Sequence, residues 1–505
     1  MKRIILLPLL LISFAVFPQS PSQSELETMT SENWQHGLNI LREIVSIPND
    51  AAYPEQAMAN LDWCKKEFEE RGFTIRELET GGIPLLLVEK NKSAFSRTIL
   101  FYAHADGQAV DPSQWNQEDP FIPVLKQKNS QNEWETISYD KLESEYDPEW
   151  RIFGRSTSDD KGPIAMFMTA WDALAEMGFE PDFNVKFILD FEEEQGSPLL
   201  PDAVVKHKDK LAADMMIIMD GPNHVSNEPT LTYGARGISS MTLTTYGPIV
   251  PQHSGHYGNY APNPALLLSQ LLSSMKTPDG RVSIPGFYDG IELSAEDKKV
   301  LESVPDDEDE IRSRLQIGRI DDVGSFYQES IQYPSLNIRG LKSAWVGKET
   351  RTIVPATAIA EIDVRLVKES DPERLFELIE NHIVEQGFTV LDHEPNKEER
   401  MKYPKIVKMS SEISYQAFRT PIDSESGEWL RSMMSRAFGT EPVEIRIMGG
   451  SIPISPFVDA LGIPAVVVPT VNPDNNQHSP NENIRLENYR NGITTFLSIF
   501  TEPYK

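Results

Sequence analysis

Cysteine is nearly missing from this chain. Cys64 stands alone among 505 residues, so no intramolecular disulfide and no cysteine-rich metal cluster can be built. Cations are also scarce: 47 Lys and Arg stand against 77 Asp and Glu, a formal charge of -30. A field of that sign repels nucleic acid and anionic lipid, which excludes polyanionic partners. Long apolar runs are confined to residues 4–17, which follow Lys2 and Arg3 and precede a polar Ser/Gln/Pro stretch. Interrupted by Pro8 and Ser13, this run reads as a secretory signal peptide over residues 1–20 rather than as a bilayer span. A periplasmic or secreted protein, with no membrane attachment in its mature form, is the expectation. The chain also lacks a G-x-S-x-G nucleophile elbow in "YGARG" and "GGSIP", and Cys64 lies in a helix of core type, so a serine or cysteine nucleophile is disfavoured.

What is present is ample material for cores, with 39% hydrophobic residues. After a polar linker, short apolar runs alternate with helix-like ones: "PLLLVEK", "RTILFYAHADG", "NVKFILDFEEE" and "MMIIMDG", with "GPIAMFMTAWDALAEMG" between the second and third. That alternation predicts an α/β layer with a mainly parallel sheet. From about Gly237 the strands lengthen and alternate, as in "ISSMTLTTYG" and "TAIAEIDVRLV", and near Thr420 the first texture returns. The expected organisation is a catalytic domain in two parts, 30–236 and 420–505, with an α+β unit inserted over 237–419.

The chemistry-bearing residues fall at the carboxyl ends of the expected strands or in the loops after them, where open α/β sheets place ligands. His104 and Asp106 project from one side of an extended chain, so the carboxylate can hold one imidazole nitrogen while the other faces outward. Asp159 and Asp160 stand in "GRSTSDDKGP", where Asp160 is expected to cap the following helix. Glu192, Glu193 and Glu194 end another strand, and three adjacent carboxylates repel one another unless a cation neutralises them. Asp220 closes "MIIMDGP" and His478 lies in "NNQHSPNE". Two histidines with several carboxylates suit zinc, with cobalt or manganese as substitutes. One carboxylate can bridge two ions, and an unligated glutamate can shuttle protons.

These motifs, with "YGARG", "HSGHYGN", "VRLV" and "GGSIP", run in order along nearly the whole mature chain and resemble the M20 metallopeptidases, a family of dipeptidases, glutamate carboxypeptidases and aminoacylases. The resemblance implies a zinc-exopeptidase-like catalytic domain with an inserted lid and dimerisation domain. It makes His104 and Asp220 ligands of one zinc, Glu194 and His478 ligands of a second, and Asp159 their bridge. It gives Asp106 the task of holding His104, makes Glu193 the general base, and leaves Glu192 away from the metals. His253 falls where dimeric members place a histidine that reaches the substrate across the interface, while His256 has no counterpart. Arg365 matches a clamp for the substrate carboxylate, and Gly450 and Ser451 match a loop lining the pocket. Two departures stand out: Ser156 occupies a position where glycine is usual, which would stiffen the loop before Asp159, and the stretch from Asn396 to Arg419 has no matching feature.

The sequence therefore predicts a di-zinc exopeptidase, a homodimer acting on a small peptide with a free carboxylate, as a dipeptidase or carboxypeptidase. An N-acyl amino acid deacylase is the alternative within enzymes. A non-catalytic, dimerising peptide-binding module is the alternative outside them, and an intact Glu193 speaks against it.

Overall fold

The computed structural model describes residues 20–93 and 96–504. The leader expected over 1–20 falls on residues outside that range, Ser20 excepted. Among the described residues no helix is long and apolar enough to cross a membrane. The chain divides into two compact units, one of residues 1–231, 423–443 and 459–505, the other of residues 232–422 and 444–458. The stretch 444–458 thus clusters with the second unit rather than with the segment 420–505 to which its sequence texture assigned it.

The first unit is built on a sheet whose inner strands read as apolar runs because they are covered on both faces, while its edge strand Thr74–Leu78 is largely exposed. Thr74–Leu78, Leu85–Lys90, Asn184–Asp190, Thr98–His104, Met215–Ile218 and Ala465–Val467 lie side by side in that order, followed by Thr230–Thr232 and Val443–Ile445. The pairings from Asn184–Asp190 through Ala465–Val467 are parallel, and those of the first two strands are antiparallel. The helix Lys161–Glu176 is buried over most of its length, as is the C-terminal helix Leu486–Thr501. Phe101, Phe167, Phe187, Phe496 and Phe500 interlock between sheet and helices, with Phe167 and Phe187 centroids 4.6 Å apart. A second, antiparallel sheet of Asn483–Arg485, Arg151–Phe153, Val124–Lys128 and Trp134–Thr136 was not foreseen.

The second unit carries a five-stranded sheet in the order Ser335–Lys342, Thr357–Leu366, Gly237–Tyr246, Ile406–Tyr415, Thr389–Leu391. Gly237–Tyr246 and Thr357–Leu366 alternate between buried and half-buried residues, the period expected of strands with one face on a core. That face packs Met241, Leu243, Ile362 and Val364 against Leu268 and Leu271 of helix Pro264–Met275 and Ile379 of helix Pro372–Glu385. The featureless stretch from Asn396 to Arg419 forms a short capped helix, Lys397–Lys402, and the strand Ile406–Tyr415 of this sheet.

Candidate metal centre

Parallel register brings the chemistry to one edge of the first unit's sheet. His104 stands level with Asp190, and Tyr102 with both Ile188 and Ile218, so the segments beyond these ends open on the same side. Asp106 follows one strand, the Glu193–Gln195 turn another, and Asp220 a third. Asp190 secures its strand end by accepting from Ser197 Oγ and from the amides of Phe191 and Glu192.

Asp159 sits at the centre. Its Oδ1 lies 2.9 Å from His104 Nε2, and its Oδ2 lies 2.9 Å from His478 Nε2, which is also 3.3 Å from Glu194 Oε2. The donor atoms of His104, Asp159 and Asp220 all fall within 4.8 Å of one another, as do those of Asp159, Glu194 and His478. The two groups share Asp159. On the far side of His104, Asp106 faces Nδ1 at 3.3 Å and accepts from the amides of Glu193 and Glu194. An Nδ1–H directed at Asp106 leaves Nε2 with its lone pair toward Asp159, so a cation or a second proton must lie between two acceptors.

The electrostatics carry the same message. Each pair of carboxylates less than 4.8 Å apart repels by roughly 3–4 kcal/mol at an effective dielectric constant of about 20. Burial, with Asp159's charge, pushes Asp220 up to about 6 and Glu194 up to about 7. Glu193 is raised well above the usual carboxylate range, by burial first and then by Asp220, Glu194 and Asp106, against the pull of His104. Burial alone would raise Asp159 too, yet the two imidazoles hold it well below its ordinary value. The Asp159 hydrogen bond lifts His478 to about 9. His104 rises despite its burial, because Asp106 and Asp159 outweigh it. A nitrogen and oxygen donor set with surplus negative charge fits a pair of divalent cations.

The loop that carries Asp159 is held by a residue to which sequence reasoning assigned no role. Glu482 is fully buried. Its Oε2 accepts from Arg155 Nη1 at 2.7 Å and the Ser156 amide at 2.9 Å, and its Oε1 accepts from the amides of Ser158 and Asp159, both at 3.0 Å. Ser156 has φ of 62°, the left-handed region that explains why glycine is usual there. Its hydroxyl accepts from Asn49 and its amide reaches Glu482. Gln108, inside "HADGQ", donates to Glu194 at 2.6 Å. Asp160 is a correction. It stands at the N-cap position but makes no side-chain cap bond; its carboxylate is buried and accepts from the His104 amide instead. Glu192 is only half-buried, at the lip of its turn.

The second unit holds the remaining candidates. Arg365 Nη1 donates to Ser451 Oγ at 2.8 Å, and its Nε lies 3.9 Å from Asp363. Gly450 precedes Ser451 and accepts the Arg236 amide. His253 is exposed, its ring 5.0 Å from that of His256, and its Nδ1 accepts from the Gly255 amide.

Residues 100–502 match the family model for peptidase family M20/M25/M40. The chain belongs to this family. It is an M20-type metallopeptidase, as the shared carboxylate and the two histidine-bearing clusters had indicated. Among relatives of this M20 peptidase, a Cys-Gly metallodipeptidase of Schizosaccharomyces pombe is 26% identical, with 92% of this chain and 94% of that protein covered. A Beta-Ala-His dipeptidase of Homo sapiens is 27% identical, over 83% of this chain and 77% of that protein. An M20 family metallo-carboxypeptidase of Sulfolobus solfataricus has the same fold, with a TM-score of 0.74 and 27% identity over 92% of this M20 peptidase and 98% of that structure.

Proposed function

We propose that this peptidase is a di-zinc dipeptidase that hydrolyses small peptides with a free terminal carboxylate. The observation that carries the reading is Asp159, each of whose oxygens lies 2.9 Å from a different imidazole. In this reading His104, Asp220 and Asp159 would hold one ion, and Glu194, His478 and Asp159 the other. Zinc suits the mixed imidazole and carboxylate set, and cobalt or manganese would substitute. When bound, such ions polarise a carbonyl and lower the pKa of water toward neutrality.

The chain's own groups do the rest. Glu193, whose side chain faces this cluster, takes the proton of the attacking water and returns it to the leaving amine. Asp106 fixes the tautomer of His104 through Nδ1. Arg365, with its guanidinium already aligned by Ser451, receives the substrate carboxylate in its two-pronged face, and Gly450 leaves open space beside Ser451. We assign the unit around 237–419 the role of lid and dimerisation domain, from which His253 of one chain donates to the developing oxyanion at the other chain's centre. The N-terminal leader directs the protein to the periplasm or out of the cell.

A dipeptidase is favoured over a deacylase because relatives that match this chain over most of its length are a Cys-Gly and a Beta-Ala-His dipeptidase. The test is a panel of dipeptides, tripeptides, C-terminal amides and N-acyl amino acids, assayed with zinc-loaded full chain by amine release. Dipeptides with free carboxylates should be cleaved fastest. Faster cleavage of N-acyl amino acids would replace this reading with the deacylase, and no turnover of any substrate would overturn both.

A further inference from the structure

In "YGARG", glycines press the backbone against the neighbouring segment 415–418: a Cβ on Gly234 would stand 2.4 Å from the Phe418 carbonyl, and one on Gly237 would stand 2.5 Å from that of Tyr415. Arg236 is fixed between them. Its amide is shared by the carbonyls of Met448 and Gly450, and the residue is only 8% exposed. The guanidinium donates from Nη2 to the Tyr333 carbonyl at 2.7 Å, while Nε has no acceptor. Among the described residues no carboxylate lies within ion-pair distance of it. A buried charge with five N–H groups and one carbonyl partner is poorly compensated.

This guanidinium lines a cavity of about 480 Å3 that lies wholly within the second unit, a size ordinary for small-molecule sites. The walls are largely apolar, including Val282, Ile331 and Leu336, all buried. The other two cations on its walls are engaged, Lys276 with Asp321 at 3.7 Å and Arg319 with Asp279 at 3.2 Å. Glu308, half-buried, accepts from the Tyr327 amide. Apolar walls around one uncompensated cation call for a ligand with an apolar body and a single negative charge.

We propose that this cavity binds a small monocarboxylic acid, its apolar chain against Val282, Ile331 and Leu336 and its carboxylate on Arg236. Burial, with the like charge of Arg365, holds Arg236 down at about 10, the direction a bound carboxylate would reverse. The cavity borders the glycine loop before Ser451, since a Cβ on Gly449 would lie 3.5 Å from the Tyr327 hydroxyl. It shares no residue with the metal-binding or substrate groups assigned above, so its test stands apart from theirs.

The test is calorimetric titration of the metal-loaded full chain with acetate, butanoate, hexanoate, octanoate and octanamide. Affinity should rise about fourfold per buried methylene, and octanamide should bind at least about tenfold more weakly than octanoate. Arg236→Gln should reduce octanoate to the level of the amide, and Arg236→Lys should retain part of the preference. Carboxylates that bind only at the metal centre would show no dependence on chain length and no response to Arg236→Gln. That result overturns the proposal, as does equal binding of octanoate and octanamide by the unaltered chain, which needs no variant to fold.

Discussion

Replacing Glu482 by glutamine separates a residue that aims the carboxylate shared by the two clusters from one that merely fills the core. Two donors converge on each Glu482 oxygen, Arg155 Nη1 and the Ser156 amide on one, the Ser158 and Asp159 amides on the other. A glutamine side chain presents an NH2 group to one of those pairs whichever way it is turned, and Arg155 loses its counter-charge. Breaking a buried pair in this way costs about 3–5 kcal/mol, equivalent to roughly 10 °C of melting temperature for a domain of this size. Because the Asp159 amide is one of the donors, the loop that aims its carboxylate should loosen as well. Loss of such supporting contacts typically weakens metal affinity about 10- to 100-fold. Thermal unfolding in chelator reads the first effect, and zinc titration against a competing indicator reads the second. A Glu482→Gln protein that melts and binds zinc as the unaltered chain does would show that Glu482 does not aim the Asp159 loop.

Three further outcomes follow from the same geometry. Glu193→Gln should keep its metal, checked by elemental analysis, and lose about 10²-fold or more in kcat on a dipeptide; near-normal turnover would move the base elsewhere. Arg365→Ala should raise KM for free dipeptides more than for their C-terminal amides, measured by parallel steady-state assays, and equal loss on both would make the arginine structural. Asp474, paired with Arg151 at 2.6 Å, is held down at about 2, burial opposing and Arg151 prevailing. Its folded pKa lies below the unfolded value, so its contribution is present above about pH 4 and is lost as pH falls toward 2. With a side chain 54% exposed, screening limits the effect to about 1 kcal/mol. Asp474→Asn should therefore lower the melting temperature at pH 7 and make little difference near pH 2.

The parallel layer was legible because strands covered on both faces must be apolar throughout, and "RTILFYAHADG", "NVKFILDFEEE" and "MMIIMDG" each pass abruptly from such a run into acid or imidazole. The alternating strands of the second unit were legible for the opposite reason, one face being left half-exposed. Other features were hidden by weak local signals. The helix Gln23–Val45 begins inside what reads as a polar linker; its capping box, Ser22 with Glu25, was the available sign. The short antiparallel strands around Arg151–Phe153 carry too few residues for a period to emerge. Glu482 sits in plain view in "QHSPNE", but only the fold shows the loop amides converging on it. Asp160 looks like a helix cap in sequence because the position is right, and only burial beside His104 gives its carboxylate another donor.

Whether Asp159 serves two metal ions is read from the metal-to-protein ratio of the chain purified without chelator, measured by elemental analysis beside that of Asp159→Asn. Close to two divalent ions per chain are expected, with occupancy of both sites falling together in the variant, because both clusters share that one carboxylate. Full dipeptidase activity in a chain carrying one ion or none, or an Asp159→Asn protein that still holds two, would contradict that expectation.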